Sequence, residues 1–332
     1  MKERPPIERE RQPSFAVRRV FACVLLVSLG LLPVRAVETV DNTELRLGFT
    51  SSVFVGVNEN DARAAMKIWT QAILKEHGIL IPSDPRVLTG TEAIASAVQN
   101  KKIDAITMTA EEYWTLGREW MATNVILGVS DGVATENYLL LVHRDSGIAR
   151  INDLRGHSIV FFQNPRASLA PLWFENLLLK AGLGQTAQFC SRTIQGVKLS
   201  QTVLPVFFRQ FDACVVTRRG FQVMSELNPQ VGQQLKILAS SPSMVPVAFL
   251  FRADYSDPAK DRIIKEIQGV HSTIAGQQVL TLFQCESLKV LSVAALDSSL
   301  ELLATHARLM EALNKPGSAG TEKSLTLGKT DK

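Results

Sequence analysis

The sequence predicts an α/β protein built from two lobes, each a mostly parallel sheet flanked by helices. A strand-like stretch at 102–109, KIDAITMT, returns in altered form as QFDACVVT at 210–217, about 108 residues later. Apolar strand-like runs alternate with amphipathic helix-like runs, which is the order that parallel α/β sheets produce. The 332 residues are 46% hydrophobic and 20% charged, enough for one large core or two moderate ones.

The body opens with a strand, a loop and a helix. LRLGFTSS, at 45–52, is typical of an apolar strand that ends in hydroxyl residues, and Asp61 is a candidate helix cap. Apolar residues then recur at helical spacing until Gly78, namely Ala65, Met66, Trp69, Ala72 and Ile73. A second helix, opened by Thr89-Gly90-Thr91, leads into the buried strand KIDAITMT; its predicted buried face is Ile94, Ala97 and Val98.

Residues 193–217, TIQGVKLSQTVLPVFFRQFDACVVT, repeat the order glycine, polar turn, helix, strand and Thr. Pro205 predicts that the helix of this second copy begins late or bends. Two copies of one unit indicate two lobes with a cleft between them.

Extended segments at 133–139 and 241–248 are the expected crossovers between the lobes. The first lobe is then expected over 44–135 with a return over 241–312, and the second lobe over 136–240. Residues 313–332 are polar with Gly and Pro, which predicts a disordered tail.

The first 36 residues predict a secretory signal peptide. Arg18 and Arg19 precede the apolar run VFACVLLVSLGLLPV, and the small residue Ala36 closes the segment. This run is shorter than the ~20 residues of a membrane-spanning helix. An uncleaved anchor is the alternative, because Arg35 lies beside the cleavage site; either way the body is expected in the periplasm.

The charge distribution excludes a nucleic-acid partner. Residues 1–36 hold seven of the 36 Lys/Arg and three of the 32 Asp/Glu, which leaves 29 of each sign in the body. A neutral body without a basic cluster has no electrostatic footprint for a polyanion.

Cysteine and histidine spacing gives no support for a metal site, and no cofactor is expected. Outside the signal segment three cysteines remain, an odd number that argues against a disulfide framework. Cys190 and Cys214 either pair or stay, with Cys285, as buried thiols. No CxxC or HxxxH spacing occurs.

GVSDG at 128–132 matches the G-x-S-x-G pattern of hydrolase nucleophiles. That pattern requires a strand, a sharp turn and a helix, whereas here a second strand-like run, YLLLVH, follows. The context therefore argues against an enzyme.

Residues 44–312 resemble the type-2 periplasmic binding proteins, in particular the phosphate- and phosphonate-binding components of ABC transporters. The resemblance rests on the order of LRLGFT, VQNKKIDAITMTAEEYW, YLLLVHRDSGIARINDLRGHSIVFFQNPRAS, FDACVVT and PVAFLFRAD. The most specific part is DSGIARINDLRG at 145–156, because this family carries a similar phrase between two strands of its second lobe.

The resemblance implies a fold of two lobes joined by two crossover strands. It also implies a solute-binding protein, not an enzyme, that captures a small anion similar to phosphate or a phosphonate in the cleft between the lobes. The implied partner is the membrane permease of an ABC transporter. The alternative is an exported sensing module of the same fold that signals to a membrane histidine kinase. A monomer is expected.

Candidate ligand contacts follow from the rule that open α/β sheets bind ligands beyond the carboxyl ends of their strands. The candidates at these edges are Thr50, Ser51, Ser52, Thr89, Thr91, Thr107, Thr109, Asn164, Arg166, Ser168 and Arg218. Each Ser or Thr is equally suited to cap a helix. Phe54, Tyr113 and Tyr138, with Trp114, are candidate aromatic walls, for which packing within a lobe is the alternative.

The loop at 164–168 departs from the family's pattern. The resemblance implies small hydroxyl residues that hold the anion here, but this chain has Pro165, Arg166 and Ala167 and keeps only Ser168. Either the Arg166 guanidinium, a planar fork of donors, replaces the lost hydroxyls, or Arg166 faces solvent and the anion site is lost.

Overall fold

A computed structural model describes residues 43–54, 58–69, 79–80 and 85–314. The predicted signal peptide, the predicted tail from residue 315 onward and the helix predicted to continue after Trp69 lie outside the described residues. Among the described helices, none is both long and apolar enough to span a bilayer.

The described residues form thirteen strands and eleven α-helices. The strands are β1 Thr43–Glu44, β2 Leu47–Thr50, β3 Ile79–Leu80, β4 Arg86–Leu88, β5 Ala105–Thr109, β6 Met121–Val129, β7 Tyr138–His143, β8 Ser158–Phe162, β9 Arg192–Gly196, β10 Ala213–Thr217, β11 Leu235–Ser240, β12 Val247–Arg252 and β13 Ser287–Ser292. The helices are α1 Glu59–Trp69, α2 Thr91–Gln99, α3 Ala110–Leu116, α4 Ala170–Lys180, α5 Thr186–Phe189, α6 Leu199–Phe207, α7 Arg218–Leu227, α8 Pro229–Gln234, α9 Lys260–Gly269, α10 Ile274–Leu282 and α11 Asp297–Asn314.

Two mixed sheets confirm the two-lobed α/β fold. The sheet of lobe 1 has the order β13-β6-β12-β5-β2-β4, and the sheet of lobe 2 has the order β11-β7-β10-β8-β9. A small parallel pair, β1 and β3, stands beside them. Lobe 1 and lobe 2 below mean these two sheets with the elements packed on them.

As expected, most strands of each sheet point the same way: β4, β2, β5 and β6 in lobe 1, and β9, β8, β10 and β11 in lobe 2. The crossover strands β12 and β7, and the edge strand β13, run the other way. The crossover strands differ because of where they start: Val247 at the start of β12 lies opposite Thr109, and Tyr138 at the start of β7 lies opposite Thr217. A strand that enters a sheet at the edge where the parallel strands end must run antiparallel to them.

The two crossovers are hydrogen-bonded to each other. They lead from β6 to β7 and from β11 to β12, and the backbone groups of Glu136 and Met244 exchange two bonds of 2.7 and 2.8 Å. The Ser241 hydroxyl accepts a further bond from the Tyr138 backbone N–H at 2.7 Å. This pairing makes the connection between the lobes a short two-stranded hinge.

The repeated unit is reproduced in three dimensions, down to single residues. Lys101 and Arg209, each three residues before the shared Asp, both have left-handed backbone with φ of 53° and 57°. Asp104 then accepts from the backbone N–H of Arg46 at 2.9 Å, and Asp212 from that of Ser158 at 2.8 Å. In each lobe the carboxylate therefore holds the start of the neighbouring parallel strand.

Both copies end in a threonine that caps the next helix. The Thr109 hydroxyl accepts from Glu112 N–H at the start of α3, and the Thr217 hydroxyl from Gly220 N–H at the start of α7. The predicted buried face of α2, Ile94, Ala97 and Val98, is confirmed.

The late start expected for the helix with Pro205, and the helix cap expected at Asp61, need correction. Helix α6 starts three residues after Gly196 and continues through Pro205. Its first turn lies so close that a Cβ at Gly196 would stand 2.5 Å from Thr202 Oγ1. Asp61 lies inside α1; the side chain of Asn58 accepts from Asn60 N–H at 2.8 Å instead.

Candidate ligand-binding site

The carboxyl edges of the two sheets enclose a cavity of about 160 Å³, here called the inter-lobe cavity. Ser52, Thr109 and Glu111 line it from lobe 1. Lobe 2 contributes Phe161, Phe162, Gln163, Asn164, Pro165, Ala167, Ser168, Pro171 and Gln195. Of the residues nominated from the sequence, the structure brings together Ser52, Thr109, Asn164 and Ser168; their contact with a ligand stays a prediction.

The hydroxyls on the lobe 1 side are already engaged by a carboxylate of the protein. Glu112 accepts from Thr50 Oγ1 at 2.7 Å, from Ser52 Oγ at 2.8 Å and from the Thr109 N–H at 2.8 Å. Thr109 and Glu112 form a capping box at the start of α3. Because the Ser52 hydroxyl, which lines the cavity, gives its hydrogen to Glu112, it faces the cavity as an acceptor, which is unsuited to an anion.

Glu111 adds a titratable carboxyl to the same side. Burial raises its pKa to about 7, and the negative charge of Glu112 adds to the effect. The lobe 1 wall therefore suits a cation or a hydrogen-bond donor.

The lobe 2 wall has the opposite character. Ser168 Oγ is buried and has no hydrogen-bond partner among the described residues, so its hydrogen-bonding capacity is unused. The Asn164 side chain accepts from Arg166 N–H at 2.9 Å and thereby fixes the turn Pro165–Ala167. Helix α4 begins just beyond, with Pro171 in its first turn. A helix N-terminus and a free hydroxyl suit an anion.

Arg166 neither lines the inter-lobe cavity nor faces solvent, and its contact with a ligand stays a prediction. Its guanidinium pairs with the buried carboxylate of Glu136 and donates to Gln284 O at 2.8 Å and to Ser130 Oγ at 3.2 Å. Its side chain is only 17% exposed, and it does not line the inter-lobe cavity. A buried carboxylate without a cation is strongly unfavourable, so the Arg166 guanidinium is committed to Glu136 in this arrangement.

None of the four aromatic candidates lines the inter-lobe cavity, and all except Trp114 pack in the cores. Tyr113 and Tyr138 are fully buried, and Phe54 packs against Phe49 with ring centroids 5.8 Å apart. Trp114 is 43% exposed. Large rings gain more from complete burial in a core than from a partly open edge.

The remaining candidates lie outside the inter-lobe cavity. Thr50 is buried against Glu112, and Thr107 lines a different cavity within lobe 1. Thr89 and Thr91 are exposed around the left-handed Gly90 at the start of α2. Ser51 is half-buried outside the lining, and exposed Arg218 donates to Ser240 Oγ at 3.0 Å.

Sequence reasoning missed Glu111, Glu112 and Glu136. The spacing Thr109-x-x-Glu112 is that of a capping box and could have identified Glu112 as a partner of Thr109. Nothing in the sequence links Glu136 to Arg166, which lies 30 residues further along the chain.

The GVSDG motif forms a tight turn and not a nucleophile elbow. Ser130 and Val133 exchange two backbone bonds of 3.0 Å, and β7 follows. The Ser130 hydroxyl donates to Gln284 O at 3.1 Å. Within the described ranges, no three His, Cys, Asp or Glu side chains are grouped to hold a metal ion, and Cys190, Cys214 and Cys285 are buried and unpaired.

Solved structures with the same fold include several binding proteins. The XAC2383 protein of Xanthomonas citri, bound to chloride, matches with a TM-score of 0.58 and 16% identity over 81% of this chain and 99% of its own. A binding component of an ABC phosphonate transporter from Pseudomonas aeruginosa matches with a TM-score of 0.54 and 16% identity over 85% of this chain and 92% of its own. PhnD1 of Prochlorococcus marinus, in complex with methylphosphonate, matches with a TM-score of 0.52 and 13% identity over 81% of this chain and 99% of its own.

Among curated proteins, none matches the sequence significantly. The sequence profile of a family described as ABC transporter, phosphonate, periplasmic substrate-binding protein matches residues 56–295. Because this match spans most of the chain, the protein belongs to the phosphonate-binding family of periplasmic substrate-binding proteins of ABC transporters.

Proposed function

We propose that the protein captures a small phosphonate that also carries an amino group, in the inter-lobe cavity, and delivers it to the permease of an ABC transporter. The single observation that carries this proposal is the polarity of the cavity within a chain of the phosphonate-binding family. A free hydroxyl and a helix N-terminus stand on one wall, and a titratable carboxyl stands on the other.

The anionic end of the ligand is assigned to lobe 2. Ser168 Oγ supplies a hydrogen, and the N-terminal turn of α4 supplies a favourable dipole. The amide groups of Gln163 and Gln195 also line this side and can donate to phosphonate oxygens.

The amino end of the ligand is assigned to lobe 1. An ammonium near Glu111 would favour the ionised carboxylate and lower its pKa from about 7. A phosphonate without an amino group would meet an unpaired carboxylate there, together with hydroxyls that already donate to Glu112.

Titration calorimetry with aminomethylphosphonate, methylphosphonate and inorganic phosphate tests the proposal. A charge-assisted bond is worth about 1.5 to 3 kcal/mol, so aminomethylphosphonate should bind roughly 10- to 150-fold more tightly than methylphosphonate. Glu111→Gln should abolish this preference, and Ser168→Ala should weaken both phosphonates. The exposed Glu226→Gln is the matched control and should change nothing.

Two results would contradict the proposal. Absence of binding by all three anions would reject capture of a phosphonate in this cavity. A preference for aminomethylphosphonate that persists in Glu111→Gln would reject the assignment of the amino end.

A further inference from the structure

Lobe 1 contains a second, apolar cavity of about 130 Å³, here called the lobe 1 cavity. It lies between the sheet and helices α9 and α10, with Phe49, Phe249, Ile267, Val279 and Phe283 among its walls. Apolar cavities of this size in proteins stay dry and bind benzene or xenon. The space therefore matches a benzene ring or a short alkyl chain.

Three polar residues of its lining are bonded to one another across the two lobes: Asn164 and Arg166 of lobe 2 both donate to Gln284 of lobe 1. Asn164, Pro165 and Arg166 belong to lobe 2 and close the cavity, while most of its other walls belong to lobe 1. Asn164 Nδ2 donates to Gln284 Oε1 at 3.1 Å, which fastens this lid to lobe 1.

Gln284 is an unusual residue at its position. It follows α10 with a φ of 55°, a conformation that favours glycine. A glycine there would lack the amide that accepts from Asn164 and holds the lid.

The same lid also bounds the inter-lobe cavity, because Asn164 and Pro165 line both spaces. A ligand held in the inter-lobe cavity is thus one wall away from the lobe 1 cavity. Separation of the lobes would lift the loop and expose the apolar space to an arriving ligand, and closure would enclose it.

We propose that the lobe 1 cavity receives an alkyl or aryl side group of the ligand, so that the preferred ligands are 1-aminoalkylphosphonates with a side group of about four to six carbons. This inference rests on the proposed function for the polar head of the ligand. The cavity adds selection by size and apolarity, which the polar groups of the inter-lobe cavity do not supply.

A homologous series tests it by calorimetry, from aminomethylphosphonate to 1-aminooctylphosphonate, whose side group exceeds the proposed capacity of the cavity. One buried methylene contributes about 0.8 kcal/mol, so affinity should rise roughly four-fold per carbon until the cavity is full and then level off. The larger side chains of Val279→Phe on α10 and Ile267→Phe on α9 fill the cavity. In these two filled variants, affinity should no longer rise with the length of the side group. Val223→Phe, a matched change on an exposed position of α7, should leave this rise unchanged.

Unaltered affinity for aminomethylphosphonate shows that a filled variant is folded with its polar site intact. A second experiment uses benzene in place of any phosphonate. Benzene should raise the melting temperature of the wild type and of Val223→Phe, but not that of the filled variants. If the wild type binds aminomethylphosphonate but its affinity does not rise with side-group length, the inference is refuted and the proposed function stands. If benzene binds but no phosphonate does, the proposed function is refuted and only the apolar site remains. If affinity still rises with side-group length in both filled variants, the inference is also refuted.

Discussion

At the scale of single residues, the two walls of the inter-lobe cavity differ through the partners of a few side chains. Glu112 occupies the hydroxyls that an anion would otherwise use, while Ser168 Oγ stays without a partner. A carboxylate of the protein thus stands among the hydroxyls of lobe 1. The consequence is a polar axis across the cavity instead of a symmetric anion cradle.

Glu111 makes the stability of the free protein depend on pH. Its folded-state pKa of about 7 lies above the ordinary value of 4.5, so folding favours the protonated carboxyl. The free energy of unfolding therefore falls as pH rises from about 4.5 to 7 and changes no further above it. A pKa difference of this size corresponds to a loss of about 3 kcal/mol in the free energy of unfolding. The dipole of α3 favours the ionised carboxylate by at most about 1 kcal/mol, so the expected loss is roughly 2 kcal/mol.

Glu111→Gln should remove this loss. In urea denaturation the variant should match the wild type at pH 4.5 and exceed it by roughly 2 kcal/mol at pH 8. The exposed Glu226→Gln should follow the wild type at both values. A Glu111→Gln protein with the same pH dependence as the wild type would show that the carboxyl ionises freely in the folded state.

At the scale of elements, the repeated unit shows how much the sequence could predict. The strands KIDAITMT and QFDACVVT were evident because burial, helix spacing and the capping threonine are encoded within about 20 neighbouring residues. The strand directions at the crossovers were not evident, since they depend on which sheet edge the chain enters. The acceptor of the Thr50 hydroxyl, Glu112, lies 62 residues away in sequence, and no local pattern specifies such a pair.

The Asp of the repeat is expected to stabilise the pairing of parallel strands. Asp212 accepts from Ser158 N–H at 2.8 Å and from its hydroxyl at 2.7 Å, and Asp212→Ala leaves both donors without this acceptor. We expect a loss of about 1 to 3 kcal/mol in the free energy of unfolding by urea. Asp145→Ala breaks an exposed pair with Arg209 and should cost under about 1 kcal/mol. Equal losses in the two variants would contradict the role of Asp212.

At the scale of the whole molecule, the lobes are connected by more than the paired crossovers. Helix α11 packs against α3 of lobe 1 and α4 of lobe 2, where Asn176 Nδ2 donates to Leu302 O at 2.9 Å. Arg219 of lobe 2 also pairs with Glu286 beside the lobe 1 sheet at 3.2 Å. The exposed pair of Arg219 and Glu286 is worth little, whereas the pair of Arg166 and Glu136 is buried and joins the hinge to the 164–168 loop.

That pair makes Arg166 a determinant of stability before it is one of binding. Arg166→Ala would leave Glu136, which is 5% exposed, without its cation, and breaking a buried pair in this way costs about 3 to 5 kcal/mol. Burial raises the pKa of Glu136 even with Arg166 present, so the carboxyl of the variant would take up a proton more readily. The loss should therefore be larger at pH 8 than at pH 5.

A double-mutant cycle measured by urea denaturation tests this link. Arg166→Met combined with Glu136→Gln removes both charges and keeps similar volumes, and it should restore most of the stability that Arg166→Ala loses, because no uncompensated charge remains. Arg218→Ala, which removes an exposed neighbour bonded to Ser240, should change stability by less than about 1 kcal/mol. If the double variant were as unstable as the sum of the single variants Arg166→Met and Glu136→Gln, the two residues would be independent and the hinge would not be coupled to the loop through their charges.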